Sequence, residues 1–236
     1  MLAKRVIPTI LCDGRKLVKG KQFNAWRSVG VAAQAVRIYE KRSVDEIVLL
    51  NISPNAEPDY SLVESLASDC FTPLTVGGGV RTIGAVKRLL RSGADKVLVN
   101  RMAHENPAFI REMSDRFGVQ CVVVGIDTRA GLTCGKDALE WARTVEGLGA
   151  GEILLTSVDR DGSMSGYDLD LIRSVSAAVN IPVVASGGCG TYQHMLDAFN
   201  AGADAVAAAS IYLFTDQTPL GAKKFLHEHG ITVRLT

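Results

Sequence analysis

The sequence lacks the features that mark membrane proteins, nucleic-acid-binding proteins and disulfide-linked secreted proteins. No apolar run approaches the roughly 20 residues that span a bilayer, and the opening MLAKRVIPTIL is too short for a signal peptide. Lysines and arginines form no long run and the formal net charge is +1, so we expect no nucleic-acid or membrane partner. The five scattered cysteines show no CxxC spacing, which predicts reduced thiols in a cytoplasmic protein without a bound metal. We also expect no cofactor.

Short aliphatic runs alternate with amphipathic stretches along the whole sequence, as is typical of parallel strands joined by helices. The length suits an α/β barrel, so the pattern predicts a single (β/α)8 TIM barrel over residues 1–236. Eight strands are predicted, at Arg5–Leu11, Glu46–Ile52, Leu74–Val76, Lys96–Val99, Cys121–Asp127, Glu152–Ser157, Val183–Ala185 and Ala205–Ala208. Helical patterns lie at Ile83–Ser92, Pro107–Arg116, Asp137–Leu148, Leu169–Val179, Tyr192–Ala201 and Leu220–His229.

An internal repeat divides the chain into two similar halves. The segment VGGGVRTIGAVKRLLRSGADKV begins at Val76, and ASGGCGTYQHMLDAFNAGADAV begins 109 positions later at Ala185. A second pair, EIVLL from Glu46 and EILLT from Glu152, matches at an offset of 106. Repetition at nearly half the chain length indicates two half-barrels rather than an array of short repeats.

Glycine-rich turns follow one strand in each half, where a barrel commonly holds phosphate on backbone N–H groups. A bare backbone lets an anion approach closely, although a single glycine pair is also typical of a plain tight turn. The residues after the next strand are again 109 positions apart. The two predicted anion sites consist of Gly78, Gly79, Asn100 and Arg101, and of Gly187, Gly188, Ala209 and Ser210. We therefore expect a small substrate with a phosphate or another anion at both ends.

Proton transfer between these sites needs an ionisable group at a strand end. Asp127 ends the run VVVGID, although an aspartate there also suits a helix cap. Thr156, Asp161 and Gly162 follow the sixth strand and could reach the same mouth. Lys19 could neutralise an anion from the loop after the first strand, or could be a solvated lysine.

Motifs along nearly the whole chain resemble the cyclase subunit of imidazole glycerol phosphate synthase, HisF, from histidine biosynthesis. They run from MLAKRVIP through VKG, TVGGGV, GADKV, ENP, VVVGID, GAGEILLTSVDRDGSMSGYD and ASGGCG to GADAVAAAS and HGITVRL. The resemblance implies a barrel that receives ammonia from a HisH-type glutaminase at its lower face and passes it to a phosphorylated substrate.

The resemblance also assigns roles at the lower face. By matched motif, the ammonia gate consists of Arg5, Glu46, Lys96 and Glu152, and Asp95 matches a position that meets the glutaminase. Without the resemblance, four ionisable residues at strand starts are equally typical of a structural salt-bridge ring.

The upper face departs from that family, whose cyclase uses one aspartate after strand one and another after strand five. Asp127 matches the second, but Leu11 stands at the first, and only Asp13 offers a substitute after a one-residue gap. Asn51 replaces an aspartate and Arg101 a small hydroxyl residue, and the loop after Asp127 is short. The pattern resembles paralogues from surface-polysaccharide (lipopolysaccharide) gene clusters. These are thought to deliver ammonia for an acetamidino group on a nucleotide-linked sugar, with a separate amidotransferase performing the transfer.

Three alternatives stay open at this point. The chain could be a genuine cyclase subunit in which Asp13 has taken over the acid role. It could be the sister isomerase of the pathway, which shares the doubled barrel but works alone. It could also be a non-catalytic ammonia conduit that activates a glutaminase. The expected enzyme class is an ammonia-dependent lyase or synthase subunit.

Overall fold

The computed structural model describes residues 3–53, 57–68 and 70–235 of the chain. The strands are β1 (Arg5–Asp13), β2 (Lys16–Lys21), β3 (Asn24–Val31), β4 (Ile47–Asn51), β5 (Leu74–Gly77), β6 (Lys96–Val99), β7 (Val122–Thr128), β8 (Leu132–Thr133), β9 (Lys136–Asp137), β10 (Glu152–Ser157), β11 (Val183–Ser186) and β12 (Ala205–Ala208). The helices are α1 (Ala32–Glu40), α2 (Tyr60–Ala67), α3 (Ile83–Arg91), α4 (Arg101–Glu105), α5 (Ala108–Phe117), α6 (Ala138–Gly147), α7 (Leu169–Ser176), α8 (Tyr192–Asn200), α9 (Ser210–Phe214) and α10 (Pro219–Glu228).

Eight parallel strands close into a barrel with helices between them, which confirms the predicted (β/α)8 fold. The order around the barrel is β1, β4, β5, β6, β7, β10, β11 and β12, and β12 pairs with β1 to close it. The antiparallel β2–β3 hairpin extends from the upper end of β1. Within the described ranges, no helix combines the length and apolar character needed to cross a membrane.

The barrel strands are buried on both faces, because helices cover the outside and side chains fill the inside. Every residue of β10 (EILLTS) and of β12 (AVAA) is buried. One inner cluster takes alternate residues from seven barrel strands, namely Ile7, Val48, Leu98, Val123, Leu154, Val184, Ala205 and Ala207. On the eighth strand a Cβ at Gly77 would lie 2.9 Å from the side chains of Leu50 and Leu98, so the missing side chain there gives them room.

The internal repeat has a structural counterpart at each matched position. A Cβ on Gly78 would lie 2.0 Å from the Asn51 carbonyl oxygen, and one on Gly187 would lie 2.5 Å from that of Ser157. Both glycines also have positive φ angles, +99° and +90°, which other residues adopt only with strain. Glycine is thus required twice, where each turn crosses the end of the neighbouring strand.

The repeated Gly-Ala-Asp triplets serve the same internal purpose in each half. The Asp95 carboxylate accepts a hydrogen bond from the Leu74 N–H at 2.8 Å, and Asp204 accepts one from the Val183 N–H at 3.1 Å. Each aspartate therefore fastens the start of its strand to the strand before it. This hydrogen bond gives Asp95 a role within the barrel that does not require a partner protein.

The structure moves strand boundaries by one or two residues and adds elements that the sequence pattern does not predict. These are the β2–β3 hairpin, the small β8–β9 hairpin and the helices α1, α2, α4 and α9. Most of β3 is exposed, so its sequence shows no alternation of apolar and polar residues. Both α4 and α9 have five residues, which is too short to produce a visible helical period.

Candidate functional site

A cavity of about 610 Å³ lies at the carboxyl ends of the barrel strands. Its size falls in the range of small-molecule sites, and its position is where barrels bind their substrates. Every residue predicted to bind substrate or phosphate lines it, together with Asp127. These residues are Lys19, Gly78, Gly79, Asn100, Arg101, Asp127, Thr156, Asp161, Gly162, Gly187, Gly188, Ala209 and Ser210.

Asp127 is the ionisable group of the cavity floor. Asn100 Nδ2 donates a hydrogen bond to its carboxylate at 2.6 Å, and the neighbouring Thr156 also hydrogen-bonds to it. Burial raises the pKa of Asp127 to about 6, helped by the charge of Asp161 and opposed by the hydrogen bonds from Thr156 and Asn100. A carboxyl group that titrates near neutral pH can both donate and accept a proton under physiological conditions.

No carboxylate complements Asp127 at the end of β1. Leu11 occupies that place, lines the cavity and is buried, and it pairs in register with Leu50 of β4. Asp13 is exposed where the chain turns from β1 into β2, it accepts a hydrogen bond from the Ser53 hydroxyl, and it does not line the cavity. The structure therefore does not bring the predicted substitute Asp13 together with Asp127.

The β2–β3 hairpin covers one side of the cavity. Lys19 is only 3% exposed, and its ammonium group contacts both carboxylate oxygens of Asp161 at 2.8 and 3.0 Å. Gln22 N–H donates to the Asp161 carbonyl oxygen at 2.9 Å, and a Cβ on Gly162 would lie 2.6 Å from the Gly20 carbonyl oxygen. Lys19 is consequently neither solvated nor free to meet an anion unless Asp161 releases it.

The two predicted anion sites have closely similar backbones. Gly79 and Gly188 both have positive φ angles, +72° and +105°. Asn100 has φ −130° and ψ −78°, and its equivalent Ala209 has φ −128° and ψ −62°. The side chains differ, because Arg101 is exposed at one end and Ser210 is buried at the other.

Four ionisable residues meet at the opposite, lower end of the barrel, and we call them the lower ring: Arg5, Glu46, Lys96 and Glu152. Arg5 contacts Glu46 at 2.6 Å and also pairs with Glu152. Lys96 contacts Glu46 at 2.9 Å and Glu152 at 2.7 Å. The ring is therefore closed, and each charge has two partners of opposite sign.

The glutamates of the lower ring are buried, and Thr75 adds a hydroxyl donor to Glu46 at 2.6 Å. Burial tends to lower the pKa of Arg5, but hydrogen bonds and charge attraction from Glu152 and Glu46 outweigh it, so the pKa is raised. The arrangement suits a gate and equally a structural ring.

Sequence reasoning missed several residues that line the cavity. Phe23 and Trp26 come from the β2–β3 hairpin, with ring centroids 6.3 Å apart, and each is more than a third exposed. Arg81 and Glu105 line the first-half side. Arg81 could have been found from the repeat, because an arginine at this position departs from its equivalent in the second half, Gly190.

The family comparison covers the barrel strands and the cavity. A family model described as "Histidine biosynthesis protein" matches residues 5–218. The matched range includes all eight barrel strands, both predicted anion sites and the lower ring.

Proposed function

Since the chain belongs to the histidine biosynthesis protein family, we propose that it is the barrel subunit of a glutamine amidotransferase complex. It receives ammonia from a HisH-type glutaminase at the lower face and delivers it to an acceptor held in the upper cavity. The acceptor is a phosphorylated small molecule or a nucleotide-linked sugar. A separate amidotransferase completes the transfer in the surface-polysaccharide version of this proposal.

The closed lower ring is the observation that carries the proposal. Barrel chemistry takes place at the carboxyl ends of the strands, so buried charges at the opposite end have no role in the cavity. A buried ion pair is also seldom more stable than apolar residues of the same volume, which leaves stability a weak reason for four of them. A ring that opens to admit a small molecule from a docked partner fits both facts.

The layer above the ring supports passage of ammonia in its neutral form. Ile7, Val48, Leu98 and Leu154 belong to the inner apolar cluster between the ring and the cavity. A neutral molecule crosses such a layer at far lower cost than an ion, because burial penalises charge most. The glutaminase would cover the lower face, where Asp95 is exposed beside Lys96.

Asp127 is the group that would handle protons once ammonia reaches the acceptor. Its carboxylate can accept the proton that the nitrogen loses when it bonds to an electrophilic carbon, and its pKa of about 6 suits that task. A cyclase needs a second proton-transfer group, which typically contributes about 10²–10⁴-fold to the rate. Leu11 cannot supply it, which favours an acceptor other than the histidine-pathway intermediate.

Membership of the family is also consistent with a second candidate function, that of a genuine cyclase subunit of histidine biosynthesis. An assay of the histidine-pathway intermediate with ammonium salt separates the two, because free ammonia bypasses the glutaminase. We expect no competent turnover by the natural chain and a gain of turnover in Leu11→Asp, with Asp127→Asn inactive in both backgrounds. Turnover by the natural chain would favour the cyclase, and its loss in Asp13→Asn would assign the acid to Asp13.

Glutamine hydrolysis by a candidate glutaminase, with and without this chain, tests the complex itself. We expect co-elution of the two proteins and faster hydrolysis in the complex. Phe71→Ala tests whether the glutaminase contacts the lower face. This side chain is 90% exposed in the segment before β5 and lies outside the cavity. Neither stimulation nor co-elution with the natural chain would contradict the proposal.

A further inference from the structure

The internal repeat supplies a built-in comparison between the two ends of the upper cavity. The first end contains Gly79, Arg81, Asn100 and Arg101, and the second end contains their equivalents Gly188, Gly190, Ala209 and Ser210. The backbone angles at Asn100 and Ala209 agree closely, and Thr82 and Thr191 cap the helices that follow the two glycine turns in the same way. At these matched positions the two ends therefore differ mainly in their side chains.

The side chains give the two ends different charges. The first end has two arginines, where the second has a glycine and a serine. Glu105 also lines the cavity, one helical turn beyond Arg101. No ionisable side chain stands at the four equivalent positions of the second end.

Arg101 is the part of this charge that the chain leaves unused. Its side chain is exposed to the cavity, and across residues 3–53, 57–68 and 70–235 it makes no hydrogen bond or ion pair, even with Glu105. Lys19, which also lines the cavity, is held by Asp161. A planar guanidinium presents paired N–H donors that match phosphate oxygens, so Arg101 is suited to bind an anion from outside the chain.

The second end is enclosed by the segment after β10. A Cβ on Gly188 would lie 2.1 Å from the Gly166 carbonyl oxygen, and one on Gly190 would lie 2.3 Å from that of Met164. Gly166 N–H donates to the Gly188 carbonyl oxygen at 2.8 Å, and Ser210 is buried. The close backbone contacts leave little room at this end, which suits one phosphate-sized group held by backbone N–H groups.

We propose that the first end of the cavity binds a diphosphate group and that Arg101 is the residue that sets this preference, while the second end takes a single small anion. The inference rests on the proposed function only in treating the occupant as the substrate of the barrel. It narrows the acceptor to a molecule with a diphosphate at one end, such as a nucleoside diphosphate derivative. Trp26 and Phe23, partly exposed in the same cavity, offer flat surfaces for a base.

Calorimetric titration of the whole chain with inorganic phosphate and inorganic pyrophosphate, at fixed ionic strength, tests the inference. We expect pyrophosphate to bind about tenfold more tightly than phosphate, since hydrogen bonds to a charged donor are the strong ones. Arg101→Ser installs the second-half residue in the first half. It should lower pyrophosphate affinity about tenfold and change phosphate affinity less than about threefold.

Two further variants make the result specific. Arg101→Lys keeps the charge without the planar donors and should fall between the natural chain and Arg101→Ser. Arg91→Ser removes the same charge from the exposed end of α3, outside the cavity, and should leave both affinities unchanged. Equal binding of the two anions by the natural chain would overturn the inference, as would a full pyrophosphate preference in Arg101→Ser or its loss in Arg91→Ser.

These titrations need no glutaminase, and the hydrolysis assay needs no anion. The diphosphate preference can therefore fail while glutaminase stimulation holds, and stimulation can fail while the preference holds. Each result bears on one proposal only.

Discussion

The two ends of the barrel treat charge in opposite ways. At the lower ring, two cations and two carboxylates contact one another in a closed cycle, and nothing outside the chain is needed to balance them. In the upper cavity, Asp127 has only the neutral partners Asn100 and Thr156 as hydrogen-bond donors, and Arg101 has no partner in the described chain. The comparison shows that the lower charges are balanced within the chain, whereas Asp127 and Arg101 have no charged partner in the described residues.

The largest expected effect follows from opening the lower ring. Glu152→Gln keeps the shape of the side chain but leaves Arg5 and Lys96 with one carboxylate between them. Breaking a buried pair in this way costs about 3–5 kcal/mol of unfolding free energy, measured by urea denaturation. The matched control is Asp170→Asn, which breaks an exposed pair with Arg173 and should cost less than about 0.5 kcal/mol. A loss below about 1 kcal/mol for Glu152→Gln would contradict the contrast between the two ends of the barrel.

A smaller effect should appear at the upper end as a dependence on pH. The pKa of Asp127 is raised from 3.8 in the unfolded chain to about 6, so its contribution to stability is fully present below about pH 4 and is lost as the pH rises through 6. The natural chain should therefore lose up to about 3 kcal/mol relative to Asp127→Asn between pH 4 and pH 7. Urea denaturation at a series of pH values measures the difference.

The contribution of Asp59 to stability changes with pH in the opposite direction, so Asp59 serves as the control for that series. Burial favours its neutral form, but hydrogen bonds from the Leu62 N–H and from Ser61 outweigh burial and lower its pKa. Its contribution is present above about pH 4 and lost as the pH falls through the lowered pKa. Parallel profiles for Asp127→Asn and the natural chain would mean that Asp127 is not buried as described.

The smallest effect is expected from Arg101. Arg101→Ser removes a charge without a partner, so the unfolding free energy should change by less than about 0.5 kcal/mol. The same substitution at the lower ring, Arg5→Ser, leaves two buried carboxylates with Lys96 alone and should cost about 3 kcal/mol. Denaturation of the two variants side by side checks this, and a comparable loss in both would remove the contrast between the ends.

Much of the fold could be predicted because its elements are local in sequence. Runs such as VVVGI and AVAA are apolar throughout, as is typical of strands buried on both faces, and a glycine turn follows two of the strands. The repeat then fixes the doubled architecture without any knowledge of contacts. The β2–β3 hairpin escaped prediction because its second strand is exposed and carries no periodic pattern.

The candidate site also contains some residues that could be predicted from the sequence and others that could not. Positions that depend on strand ends, such as Gly78, Asp127 and Gly187, follow from the alternation of strands and turns. The Lys19–Asp161 pair joins residues 142 positions apart, and no local pattern indicates it. Asp13 was plausible from spacing alone, but the chain turns into the hairpin at Gly14 and leaves Asp13 in solvent beside Ser53.

The closure of the barrel has a consequence for the order in which the chain is made. The lower part of β1 pairs with β12, and the Lys4–Asp204 ion pair beside this seam joins residues 200 positions apart. Because a ribosome delivers the amino-terminal end first, β1 emerges long before its neighbour exists. Through that interval its unpaired backbone groups are an open sheet edge, which other chains can join. This edge is covered only once the four residues AVAA of β12, which are among the last barrel residues to be synthesised, pair with β1.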